Sequence, residues 1–103
     1  MSKKAKLDVR QLRALGHKLK PVVTVAGNGL SDGVLAEVER ALEQHELIKI
    51  KLAVGDRDAK AAVTDAIAER CGAEVIQRIG NVILVLRRTA EPDPRLSNLL
   101  RPL

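Results

Sequence analysis

The sequence predicts an α/β fold of the α+β type, with three helices and a four-stranded mixed sheet in the order α-β-α-β-α-β-β. Three observations predict it. Helical and strand periods of hydrophobic residues alternate along the chain. The connections between them are short, which is typical of one sheet packed with helices. At 103 residues, of which 46% are hydrophobic and 30% charged, the chain has enough residues for one compact core.

The first helix begins after Asp8, a good N-cap residue. Gln11 is at the position where, in a capping box, a Gln side chain accepts a hydrogen bond from the N-cap backbone N–H. Leu12 and Leu15 mark its buried side, and Gly16 is its predicted end. A basic connector follows and leads into a first strand at about residues 22–26.

A glycine-rich turn comes next. Gly27 and Gly29 can adopt a positive φ without a Cβ clash, and Asn28 tolerates it better than most residues. Asn28-Gly29 also suits a β-hairpin. The helical period from Ser31, a good N-cap residue, to His45 favours a strand–turn–helix unit instead.

The second half of the chain repeats this alternation. A second strand is predicted at residues 47–54, with Lys49 and Lys51 on its polar face, and a third helix runs from Asp56 to a glycine C-cap at Gly72. The remaining elements are a third strand at 73–79, a tight hairpin, and a fourth strand at 82–86. This last strand has no polar residue, which is typical of a central strand covered on both faces.

The predicted domain therefore covers residues 1–88. Residues 89–103 contain three of the four prolines and show no period, so we expect a mobile C-terminal tail. Its leucines leave open that part of it docks on the domain.

The net charge of +5 is concentrated near the N-terminus, where residues 1–30 contain seven Lys or Arg and a single Asp. This distribution favours a polyanionic partner, although a solubilising basic segment is the simpler interpretation for Lys3, Lys4 and Lys6. The chain has no Phe, Tyr or Trp, which excludes modules that stack bases on aromatic rings. Any nucleic acid would have to be bound through phosphates, sugars and shape.

Other classes of protein are disfavoured by what the sequence lacks. No apolar run reaches membrane-spanning length, and residues 1–20 lack the apolar region of a secretory signal, so we expect a cytoplasmic protein. The single cysteine, Cys71, agrees with a reducing compartment. No residues have zinc-site spacing and none form a paired-carboxylate or Ser/His arrangement, so we expect no metal, no cofactor, no small-molecule substrate and no enzymatic activity.

The candidate site is the glycine-rich turn, because a turn that opens a helix presents free N–H groups and the positive end of the helix dipole to an anion. Lys18 and Lys20 flank this turn in sequence, and we interpret them as phosphate contacts. For the turn itself, the alternative is an ordinary βα turn without a ligand. For the other basic candidates, the alternative is a solvated surface. The candidate residues are Gly27, Asn28, Gly29, Leu30, Ser31, Lys18, Lys20, Arg10, Arg13, Lys49 and Lys51.

A family resemblance is carried by residues on both sides of this turn. They are the run from Leu12 to Val23, the turn Asn28-Gly29-Leu30, the helix at 33–42, the segment at 45–49, the Ile79-Gly80 hairpin and Arg87. Over about residues 8–88 the chain resembles the bacterial YhbY family, the stand-alone versions of the CRM (chloroplast RNA splicing and ribosome maturation) domain.

The resemblance implies an RNA-binding domain similar in fold to the C-terminal domain of the third bacterial translation initiation factor. It also implies a link to precursors of the large ribosomal subunit; plant relatives use the domain in group II intron splicing. The family's GxxG loop falls on residues 26–29, where Ala26 replaces the first glycine. Asn81 stands where the resemblance leads us to expect lysine.

The sequence thus leads to two hypotheses. The first is a non-catalytic, monomeric RNA-binding protein that binds ribosomal RNA in precursors of the large subunit (pre-50S particles) during assembly. The second is a small protein–protein adaptor whose basic face binds an acidic protein.

Overall fold

The computed structural model describes residues 7–27 and 29–103, and it confirms the predicted order of helices and strands. The elements are α1 (Val9–His17), β1 (Pro21–Val25), α2 (Asp32–His45), β2 (Leu47–Leu52), α3 (Arg57–Cys71), β3 (Glu74–Ile79) and β4 (Val82–Leu86).

The four strands form one mixed sheet in the order β1-β2-β4-β3. β1 is parallel to β2, whereas β4 is antiparallel to both of its neighbours. The apolar strand β4 therefore lies inside the sheet, as its composition predicts, and residues 83–86 are all buried.

Each face of the sheet has its own core. On one face α2 and α3 cover a cluster that includes Val25, Leu42, Ile50 and Ile67, and on the other face α1 covers a smaller one. The smaller cluster contains Leu12, Leu19, Leu47, Ile76, Leu84 and Leu86. Side chains alternate along a strand, so Lys49 and Lys51 share the α1 face with Leu47.

Gly16 has a different role from the predicted helix end. α1 continues to His17, and Lys18 forms its C-cap in an ordinary right-handed conformation. Gly16 is buried inside the helix, and a Cβ atom there would lie 2.6 Å from Cδ2 of Leu84. The glycine thus lets α1 approach the central strand closely, which a sequence pattern cannot distinguish from a C-cap.

Apart from Gly16, the predicted helix caps are confirmed. Asp8 and Gln11 form a reciprocal capping box, with the Gln11 N–H donating to Oδ1 of Asp8 at 2.8 Å. Asp56 accepts from the N–H of Ala59 at 2.9 Å, and Gly72 ends α3 with a φ of +62°. Asp8 thus fixes the start of α1, and Asp56 and Gly72 fix both ends of α3.

The C-terminal segment is docked on the domain, which is the alternative that its leucines leave open, and Leu99 packs against the smaller core. Ser97 and Asn98 are buried. Nδ2 of Asn98 donates to the carbonyl of Leu47 at 2.7 Å, and the N–H of Asn98 donates to the carbonyl of His45 at 2.9 Å. The docking depends on polar pairs between distant residues, which leave no periodic pattern in the sequence.

Glu46 is the main anchor of this tail. It forms the C-cap of α2 with a φ of +63°, the only non-glycine residue in the described chain with a positive φ, and is 3% exposed. Its carboxylate accepts from Oγ of Ser97 at 2.6 Å and from the N–H of Thr89 at 2.7 Å. Because both carboxylate oxygens accept hydrogen bonds, these bonds offset the cost of removing the carboxylate from water.

Arg87 connects the ends of three elements. Its Nη1 donates to Oε1 of Glu39 at 2.7 Å and to the carbonyl of Cys71 at 2.9 Å, while Nη2 donates to Glu43 at 3.3 Å. The hydrogen bond from Arg87 lowers the pKa of the Glu39 carboxyl, and burial raises the pKa of the Cys71 thiol. Cys71 is therefore a packed thiol.

We expect the Glu39–Arg87 pair to make stability depend on pH in the acid range. The folded-state pKa of Glu39 lies below its ordinary value of 4.5, so the pair stabilises the fold above that pH. The contribution is lost as pH falls through the folded-state pKa. Urea unfolding between pH 3 and 6 should show a shallower acid decline for Glu39→Gln than for the parent. Glu37→Gln, an exposed carboxylate on the same helix, should keep the parent's slope.

Candidate nucleic-acid interface

The loop between β1 and α2 lies at one end of the sheet. β1 and β2 both end there, and the β3–β4 hairpin turns there. The N–H of Ala53 donates to the carbonyl of Val25 at 2.7 Å, and the N–H of Leu52 donates to the carbonyl of Asn81 at 2.6 Å. These bonds tie the three connections into one surface around the β1–α2 loop.

The loop is closed by its own backbone and open to solvent. The Gly29 N–H donates to the carbonyl of Ala26 at 2.8 Å, and Gly29 has a φ of +83°. A Cβ atom at Gly27 or Gly29 would meet nothing within 4 Å. The position that requires glycine is thus Gly29, and Ala26 has no positive φ. The candidate residue Asn28 lies outside the described residues.

Leu30 and Ser31 hold the loop in place. Leu30 is half-buried and packs against the larger core, and Oγ of Ser31 accepts from the N–H of Val34 at 3.2 Å to cap α2. Asp32 occupies the first turn of α2 and is exposed. Its carboxylate stabilises the helix dipole and also places a negative charge beside the loop.

Two lysines flank this end of the sheet. Lys51 is exposed and pairs in register with Thr24, one residue before the end of β1. Nζ of Lys60, on α3, donates to Oδ1 of Asn81 in the hairpin. Asn81 therefore positions an ammonium group from another element at the place where the family resemblance leads us to expect lysine. Sequence reasoning missed Lys60, because no local signal joins two residues 21 positions apart.

Lys18 and Lys20 do not lie beside the loop. They precede β1, and the five strand residues separate them from it by roughly 17 Å at about 3.3 Å per residue. With Lys49, which is half-buried, they line a cavity of about 320 Å³ at the opposite end of the strand.

Arg10 and Arg13 form a third group. Both are exposed, and Arg13 lines a surface concavity with residues 75–78 of β3. β3 is the edge opposite β1, three strand spacings or roughly 14 Å away. The structure therefore divides the predicted site into three groups: the loop with Lys51, the cavity with three lysines, and the two arginines of α1.

Two features are absent from residues 7–27 and 29–103. No group of three or more His, Cys, Asp or Glu side chains in this part of the chain could hold a metal ion. None of its helices combines the length and apolar character needed to cross a membrane.

The fold and the loop define an α+β domain of a class that includes RNA-binding proteins. The solution structure of SAV1595 from Staphylococcus aureus, described as a hypothetical protein and candidate RNA-binding protein, superposes with a TM-score of 0.72. The match has 28% sequence identity and covers 81% of this chain and 86% of that one. The CRS1 / YhbY (CRM) domain profile matches residues 5–87, and the chain belongs to this family.

Relatives from several bacteria carry names that refer to RNA. "Probable RNA-binding protein PA4753" of Pseudomonas aeruginosa is 48% identical over 92 residues, which cover 89% of this chain and 88% of the relative. A Haemophilus influenzae protein named "RNA-binding protein" is 46% identical over 82% of this chain and 86% of its own length. "Probable RNA-binding protein YqeI" of Bacillus subtilis is 30% identical over 80% of this chain and 85% of its own.

Proposed function

We propose that this protein binds RNA without catalysing a reaction on it. The observation that carries the proposal is the open loop at the N-terminus of α2, with Gly29 at a φ of +83° and Lys51 and Lys60 on the adjoining elements. Family membership and the relatives' names support RNA as the polyanion.

In this proposal the loop backbone and the first turn of α2 contact one stretch of the sugar-phosphate chain. Backbone N–H groups at a helix N-terminus suit a phosphate, and a glycine allows close approach of the RNA backbone. The two lysines neutralise neighbouring phosphates. With no aromatic residue in the chain, recognition depends on the folded shape of the RNA and its 2′-hydroxyls and not on base stacking.

We further propose that the RNA is ribosomal and belongs to precursors of the large subunit, which the protein binds as a monomer in the cytoplasm. The family resemblance carries this finer proposal. The net charge of +5 and the concentration of cations before the loop agree with a heavily charged partner.

A binding comparison tests both levels. Affinity is measured for transcripts of large- and small-subunit ribosomal RNA domains of equal length, over a series of salt concentrations. We expect tighter binding to one large-subunit domain and cosedimentation with large-subunit precursors. Equal affinity for all transcripts would overturn the assignment to the large subunit, and absence of binding to every transcript would overturn RNA binding itself.

Removing the charge of Asp32 should strengthen RNA binding. Asp32→Asn takes a carboxylate away from the loop, so we expect roughly two- to fivefold higher affinity at low salt, as for removal of a repulsion of about 0.5–1 kcal/mol. The same change should cost about 0.3–1 kcal/mol of stability, because the carboxylate complements the α2 dipole. The matched control is Glu69→Gln, which removes an exposed carboxylate near the C-terminal end of α3. An equal gain in RNA affinity for this variant would indicate a nonspecific charge effect.

A further inference from the structure

The docked tail completes a second basic cavity, at the opposite end of β1 from the glycine-rich loop. The positively charged residues of this cavity come from three separate segments of the chain, and the tail supplies Arg101. The cations that line it are Lys18, Lys20, Lys49 and Arg101. No Asp or Glu is among the lining residues. The family profile ends at residue 87, so Arg101 lies beyond the family domain.

Arg101 is held in position by a buried side chain. Its Nε donates to Oδ1 of Asn98 at 2.7 Å, and Asn98 is 5% exposed. Nδ2 of the same amide donates to the carbonyl of Leu47 at the start of β2. Strand β2 thus orients the amide, and the amide orients the guanidinium. Nη1 and Nη2 of Arg101 make no hydrogen bond within the described chain and stay available to a ligand.

The cations of this cavity have no ion-pair partner among residues 7–27 and 29–103. The ion pairs in the described parts of the chain join Arg78, Arg87 and Arg95 to carboxylates, and none of them includes a cation of the cavity. His45 also lines the cavity, and its Nδ1 donates a hydrogen bond to the carbonyl of Leu96 at 2.8 Å. The volume of the cavity is about 320 Å³.

We propose that this cavity is a second contact for the RNA backbone and holds a phosphodiester group between the three lysines and Arg101. The inference rests on the proposed function, because RNA supplies the phosphate. An arginine with two free terminal nitrogens can donate a bidentate pair of hydrogen bonds to phosphate oxygens, and lysines add point charges. Lys51 continues from Lys49 along β2 toward the loop, so the RNA backbone can follow the strand between the two contacts.

A pair of arginine substitutions in the tail tests the inference. Arg101→Gln removes one positive charge from the cavity, and Arg95→Gln removes the same charge from an exposed site on the same tail, where the side chain is 89% exposed. We expect Arg101→Gln to lower affinity for RNA roughly three- to tenfold and to reduce the slope of log K against log salt concentration by about 0.7. Arg95→Gln should match the parent in both.

A double-substitution cycle strengthens the test. If Lys20 and Arg101 bind the same phosphate, Lys20→Gln combined with Arg101→Gln should cost less than the product of the two single losses. Equal binding by Arg101→Gln and Arg95→Gln, while Gly29→Asp still loses affinity, would overturn the cavity and leave the proposed function intact. A parent protein that binds no RNA would overturn both.

Discussion

Gly29→Asp should reduce affinity for RNA at least tenfold, which is the largest effect on binding that we expect from a single substitution. The side chain would extend into open space beside the loop, where nothing in the described structure lies within 4 Å of a Cβ atom. A carboxylate in that space would face the bound phosphate. Repulsion between like charges about 4 Å apart is about 1 kcal/mol in bulk water and about 4 kcal/mol near a protein surface, and about 1.4 kcal/mol is a tenfold loss.

The control for this change is Gly29→Asn. Both substitutions place a side chain of nearly the same shape at a φ of +83°, and both residue types tolerate that region better than most. They should therefore cost similar stability, about 1 kcal/mol, and differ only in charge. RNA binding is measured at two salt concentrations, with urea unfolding as the check on folding. If the two variants bind RNA equally well, the loop does not contact phosphate.

The elements of this fold could be predicted because each is determined by nearby residues. Asp8, Ser31 and Asp56 cap their helices as the sequence indicates, and the apolar run at 82–86 lies inside the sheet. The loop followed from the same kind of signal, since a glycine before a helical period predicts a turn whether or not it binds a ligand. Local chemistry is sufficient at these positions.

The arrangement of the cations could not be predicted in this way. Lys18 and Lys20 are close to the loop in sequence, but a strand moves the chain about 3.3 Å per residue and carries them to the other end of the sheet. Arg13 is separated from them because α1 extends toward β3, the opposite edge. Lys60 comes near the loop only through its contact with Asn81. Each position depends on strand order, which hydrophobic periods do not specify.

The docked tail shows a different limit. Residues 89–103 contain no period, and a segment without one is expected to be mobile. The tail is held by hydrogen bonds from Asn98 to Leu47 and His45 and by a buried carboxylate, Glu46, whose partners Ser97 and Thr89 lie 51 and 43 positions away. A glutamate after a helix is usually a solvated residue, so nothing in the local sequence identifies this one as an anchor. Only its low exposure and its two hydrogen bonds in the folded chain show its role.

We expect Glu46→Ala to destabilise the protein by about 2–4 kcal/mol and to release the tail. The change removes the acceptor of the Thr89 N–H and of the Ser97 hydroxyl, and hydrogen bonds to a charged group contribute about 1.5–3 kcal/mol each. The expected loss is smaller than the sum of the two because both donors regain water when the tail is released. Urea unfolding measures the stability. Hydrogen exchange at the Asn98 amide, which donates to the carbonyl of His45, reports on the tail itself.

Two further variants separate the carboxylate from the backbone and from the overall charge. Glu46→Gly relieves the cost of a φ of +63°, so it should be about 1 kcal/mol more stable than Glu46→Ala and still lose protection at Asn98. Glu91→Ala removes an exposed carboxylate from the tail and should change neither measurement. If Asn98 stays as protected in Glu46→Ala as in Glu91→Ala, the carboxylate is not what seats the tail. Because the same tail carries Arg101 to the cavity, its release should also lower RNA affinity by as much as Arg101→Gln does.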